Sequence, residues 1–222
     1  MEIFHESLNY LGYHTAGMLR NPAKKNLFAI AEDQSGYFTT KQAIAAGFAE
    51  KTHAYHVRAG NWIREYRGIY RLAAFPAAER PDLMLWYLWS RGRDDVPEGA
   101  YSHETALSLH ELSDANPSRL HMTVPMTFRK SAEIPSALVL HRSNIPSDDM
   151  QEMFGVRCTK PLRTIIDLAV EGKTDKALLR QAIQEALARG LIARNDLNRV
   201  NAKPEVRREL LALAPETPHG RT

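Results

Sequence analysis

Cysteine is almost missing from this chain: Cys158 is the single one among 222 residues. One thiol makes no internal disulfide and leaves a cysteine-based zinc cluster without partners. A reducing, cytoplasmic setting with a buried free thiol is therefore expected. Long apolar runs are absent too, with no stretch of about 18 apolar residues for a membrane span and no basic segment leading into an apolar one as in a signal peptide. A glycine-rich phosphate loop is lacking, and so is a nucleophile paired with a base. No catalytic residue, cofactor or metal site is assigned, and the chain is not expected to be an enzyme. Excess charge of one sign is small, with 29 Lys+Arg against 26 Asp+Glu for a net +3.

What is present is the composition of an ordinary globular protein, 44% apolar and 25% charged, long enough for two compact units at roughly 100 to 200 residues per domain. The charge is unevenly placed. Between Gly36 and Leu72, six cations face two acids for a net +4, leaving the remainder near −1. A basic unit joined to a near-neutral one implies different partners for the two.

That basic stretch reads as helix, turn, helix and two-stranded ribbon. Pro22 suits the first turn of a supporting helix, which has Leu27, Phe28, Ile30 and Ala31 on its apolar side. Tyr37-Phe38 reads as an extended link. Thr39 and Gln42 form a capping box for a helix over 40–46, Gly47 permits a sharp turn, and Phe48 pins it to the core. A second helix runs from Glu50 to Ala59. His53, His56 and Val57 recur at helical spacing and face inward, while Lys51, Thr52, Tyr55 and Arg58 face away. That mix of cations, hydroxyl and phenol suits a helix lying in a DNA major groove.

Residues 62–66 and 69–72 are aromatic and β-branched runs joined at Arg67-Gly68, which predicts a hairpin serving as the wing of a winged helix. The candidate DNA-binding residues are Lys41, Lys51, Thr52, Tyr55, Arg58, Arg64, Arg67 and Arg71. A solvated charged face would give the same spacing, so residue pattern alone leaves both readings open.

The stretches GYFTTKQAIAAGF, HVRAG and REYRGIYRL resemble the N-terminal domain of the AbiEi-like family of abortive-infection antitoxins and transcriptional regulators. YSHETALSLHEL, HMTVP and TKPLRTIIDLA resemble its C-terminal part, so the likeness runs roughly from Leu27 to Leu197. The resemblance implies a bacterial type IV antitoxin that binds repeats in its own promoter, represses it, and neutralises a nucleotidyltransferase toxin. Self-association on the double-stranded DNA fits the same picture. Glu65 and His53 depart from the family pattern, at positions that bear on the sequence preference for DNA. Two alternatives remain: a solitary regulator without a toxin, and a winged helix used as a protein-docking module. An endonuclease-like domain found in some relatives is not expected, since only 25 residues follow Leu197.

Beyond a linker at 76–82, residues 83–214 predict a small mixed-sheet α/β-type unit with a helical C-terminus, so the fold class is α+β. Leu83 to Trp89 reads as a core helix, Arg91 to Gly99 as a polar loop, and Ser102 as the N-cap of a helix reaching Leu112. Strands are expected at 120–124, 137–140 and 156–158. Helices are expected from Pro161 and over 178–187, 196–200 and 205–213. His103 and His110 stand seven apart rather than the four of the zinc-protease pattern, so metal is not assigned to them. Residues 1–21 read as an extension, in which Met18 is a second candidate start, and 215–222 as a frayed tail. The domain limits are thus 1–21, 22–75, 76–82, 83–214 and 215–222.

Overall fold

The structure, a computed structural model, describes residues 21–76, 79–114 and 116–215. The expectations for residues 1–20, Met18 among them, and for 216–222 lie outside these. The chain forms two compact units, one up to Pro97 and one from Glu98 onward.

The first unit opens with α1 (Pro22–Glu32), capped by Asn21, whose side chain accepts from the amides of Ala23 and Lys24. The short segment β1 (Tyr37–Thr39) follows, then α2 (Thr40–Ala46) and α3 (Glu50–Arg58). The capping box is formed: Gln42 N donates to Thr39 Oγ1 and Thr39 N donates to Gln42 Oε1. Gly47 ends α2 at φ 109°, and a Cβ there would sit 3.1 Å from that of Ala23, so the turn needs glycine for conformation and for space.

β2 (Trp62–Tyr66) and β3 (Ile69–Leu72) form the expected antiparallel hairpin, with an irregularity between Arg64 and Tyr66. Tyr37-Phe38 is more than a link. It belongs to a third strand, paired antiparallel with β3 in the order β1-β3-β2. The core gathers on Trp62, whose ring lies 4.9 Å from Phe38, 5.2 Å from Phe48 and 4.6 Å from His56. Truncating such a residue to alanine costs about 3–5 kcal/mol.

α4 (Pro81–Trp89) buries Met84, Leu88 and Trp89, as helical spacing predicts, with Leu83 buried instead of the half-buried Leu85, and it packs on β1 and β3. The sequence places this helix in the C-terminal unit; the structure gives it to the first. The polar loop after it is not wholly exposed. Arg91 is buried and donates to Thr39 Oγ1 at 2.8 Å, Gln34 Oε1 at 2.9 Å and Asp95 at 3.0 Å.

The second unit is a five-stranded mixed sheet in the order β6-β5-β4-β8-β7, where β4 is Ala100–Tyr101, β5 Leu120–Val124, β6 Leu138–Arg142, β7 Met150–Met153 and β8 Val156–Thr159. β5 and β6 are parallel, as are β4 and β8, while the other two pairs are antiparallel. The helices are α5 (His103–Leu109), α6 (Pro161–Glu171), α7 (Lys176–Ala188), α8 (Arg194–Arg199) and α9 (Pro204–Leu213). α5 to α7 and the chain after them share one apolar core built on Leu107, Leu112, Ile165, Leu168, Ile183 and Leu210. Mixed α+β architecture with a helical C-terminus is therefore observed.

Two local expectations change. α5 is shorter than predicted and Ser102 makes no side-chain cap on it. Its hydroxyl accepts from Thr123 Oγ1 at 2.8 Å and meets His103 Nδ1 at 2.9 Å instead. Cys158 is free and buried, and burial pushes its thiol up to about 12, so it stays protonated. No helix among the described residues is long and apolar enough to cross a membrane.

Candidate nucleic-acid interface

α3 divides into two faces. His53 is 3% exposed and its ring sits 5.1 Å from that of Trp62, with Nε2 bonded to the Phe48 carbonyl at 3.3 Å. His56 stacks on Trp62, and burial, with help from His53 and Lys24, pushes its pKa down. That imidazole is consequently neutral near pH 7 and acts as an apolar plate. The departure at His53 is thus absorbed by the aromatic core.

On the opposite face Lys51, Tyr55 and Arg58 are exposed, Tyr55 at 59%. Their i, i+4, i+7 spacing lines them along one edge of the helix. A phenol that exposed, between two cations, is available to stack or to donate a hydrogen bond. Thr52 lies off this line, half-buried, and its hydroxyl donates to the Ala49 carbonyl at 2.7 Å, closing the first turn.

The hairpin adds Arg64 and Arg67, both exposed, the latter in the turn. Arg71 differs: half-buried, it donates to Glu65 Oε1 at 2.8 Å, and it lies opposite Tyr37 in the strand register. Burial first, then the Glu65 charge, raises the Tyr37 phenol above its ordinary value. Lys41 is exposed on α2 and its Nζ donates to the Arg93 carbonyl at 3.1 Å. Of the eight sequence candidates, five cations or phenols stand open on α3 and the hairpin, and Lys41, Thr52 and Arg71 are engaged by the protein itself. The acid at 65, noted in the sequence as a departure, was the signal for Arg71.

In the C-terminal unit His103 and His110 do not share a site. His110 Nε2 donates to the Thr159 carbonyl at 2.7 Å, whereas His103 stacks on His141 with ring centroids 3.6 Å apart and planes 10° apart. Sequence spacing gives no hint of the latter grouping, because His141 comes from another strand.

Comparison with known proteins follows the same division. Residues 26–73 match the family model described as transcriptional regulator, AbiEi antitoxin, and residues 99–212 match the AbiEi antitoxin C-terminal domain. No curated protein is similar enough to count as a match. Among solved structures, the RV2827C protein from Mycobacterium tuberculosis is similar in fold, with a TM-score of 0.56 at 14% identity over 86% of this chain and 80% of that one.

Proposed function

The chain belongs to the AbiEi antitoxin family, and on that premise we propose that its N-terminal unit is a winged helix-turn-helix that binds promoter DNA and represses transcription. α3 enters the major groove with Lys51, Tyr55 and Arg58, and the β2–β3 hairpin is the wing, with Arg64 and Arg67 on flanking phosphates or in the minor groove. The observation that carries this reading is the exposed line of Lys51, Tyr55 and Arg58 on a helix whose opposite face is locked into the aromatic core around Trp62. Lys41 and Thr52 are proposed as secondary contacts, reached after their internal bonds are released, whereas Arg71 stays on Glu65.

The C-terminal unit contacts a nucleotidyltransferase toxin, as the family's role as antitoxins supports, or a second copy of the chain on repeated half-sites. The protein performs no catalysis itself and works in the cytoplasm. A gel-shift titration with the DNA upstream of its own reading frame, against random DNA of equal length, tests the first claim. Co-expression with the neighbouring gene product tests the second. Binding at the promoter without a complex points to a solitary regulator, and a complex without promoter binding points to a docking module.

A further inference from the structure

Three side chains far apart in sequence bring together donor atoms of the kind a borderline divalent metal takes. His103 opens α5, His141 lies in β6 and Glu171 closes α6, and one ligand atom of each lies within 4.8 Å of the other two. All three line a cleft of about 720 Å³ in the C-terminal unit. We propose that His103, His141 and Glu171 bind a divalent transition-metal ion, Zn²⁺ being the best match, with the remaining coordination position open to this cleft.

Two imidazoles and one carboxylate are a donor set that Zn²⁺ accepts, and three protein ligands with an open position is a common arrangement for it. Ligands about 2.0–2.2 Å from an ion stand roughly 3.4 Å from each other, so the two stacked rings must rotate out of parallel to converge on one ion. The outer hydrogen bonds already orient both rings. A proton on His103 Nδ1, donated to Ser102 Oγ at 2.9 Å, leaves Nε2 with its lone pair. A proton on His141 Nε2, donated to His121 Nδ1 at 3.1 Å, leaves Nδ1 in the same condition. Partners of this kind fix tautomer and direction in metal sites. The register makes it possible: Thr123 pairs with His141 between parallel strands, so His121, Thr123 and His141 share one face of the sheet.

The protonation states agree with the geometry. Burial, with help from His141, pushes His103 down to about 3, and burial lowers His121 and His141 as well. Parallel rings 3.6 Å apart disfavour a charge on both imidazoles at once. Burial would raise Glu171, but opposing effects led by the hydrogen bond from Lys173 leave the carboxyl low. Lys173 bonds one carboxylate oxygen at 2.9 Å, and its own side chain is 80% exposed and able to swing aside. Arg163, one of the cations in the cleft wall, is neutralised by Asp149 at 3.2 Å and Asp167 at 2.8 Å. His103 also holds a left-handed backbone, φ 52°, in a buried position, a conformation that surrounding structure must impose.

The test uses the full chain, stripped with chelator, given Zn²⁺ and passed through gel filtration before metal analysis. About one equivalent per chain should be retained. Competition against a chromogenic chelator should show an affinity loss of at least roughly tenfold in Glu171→Gln and His141→Gln, and a loss of roughly 10- to 100-fold in Ser102→Ala, which reaches the ligands through His103. Added Zn²⁺ should raise the melting temperature of the parent and not of Glu171→Gln. Circular dichroism identifies any variant that fails to fold; should His141→Gln do so, Glu171→Gln at the more exposed helix end decides. A parent that retains no metal overturns the proposal, and so does a folded Glu171→Gln that binds Zn²⁺ as the parent does, since the ion would then sit on other histidines.

Discussion

The Nε of Arg71 lies 2.8 Å from Oε1 of Glu65 within the β2–β3 hairpin, the two side chains 20% and 25% exposed. The pair occupies the cation that strand position alone would offer to a phosphate, while leaving Arg64 and Arg67 open. Arg71→Ala should therefore lower stability by about 1 kcal/mol and leave the salt dependence of DNA binding nearly unchanged. Glu65→Gln should act on binding instead: with Arg71 released, the slope of log affinity against log salt steepens by about one unit. Gel-shift titrations of both variants across a salt series check this. A shallower slope in Arg71→Ala would mean that the pair opens on DNA.

Arg91 joins the loop after α4 to the N-cap of α2, through Thr39 at 2.8 Å and Gln34 at 2.9 Å. Arg91→Ala leaves Asp95 and these two groups short of a partner, and should destabilise the N-terminal unit by about 3 kcal/mol. Arg91→Lys should recover less than half of that, since one ammonium cannot reach both ends of the guanidinium fork. All three tryptophans, Trp62, Trp86 and Trp89, belong to this unit, so denaturation followed by tryptophan fluorescence reports on it alone.

His110 gives the C-terminal unit a pH dependence. Burial lowers its pKa below 6.5, against the opposing effect of its hydrogen bond to the Thr159 carbonyl. The unfolded chain binds the proton more readily than the folded one, so its contribution is fully present above about pH 6.5 and is lost as pH falls towards the folded value. Urea titrations followed by circular dichroism should show lower stability at pH 5.5 than at pH 7.5. The difference should narrow in His110→Gln, which can still donate to Thr159; an unchanged difference would assign it to other histidines.

Features decided within a few residues were legible in the sequence. The Thr39–Gln42 capping box, the Gly47 turn, the hairpin at Arg67-Gly68 and the inward His53 all depend on neighbours less than one element away. Features decided by distant partners were not. Arg91 reads as a loop cation because Gln34 and Thr39 lie more than fifty residues before it. Ser102 reads as a cap because nothing local shows Thr123, 21 residues on, donating to its hydroxyl. β1, β4 and β7 are too short to show an alternating pattern, and α4 joins the first unit through packing that no spacing encodes.

The claim that α3 and the hairpin form a DNA-binding surface is tested most directly by the salt dependence of promoter binding in the double variant Arg64→Ala/Arg67→Ala. Each lost phosphate contact should reduce the slope by about one unit, so the double variant should fall about two units below the parent while its fold is unchanged. A double variant that binds the promoter as tightly as the parent at every salt concentration would contradict the account.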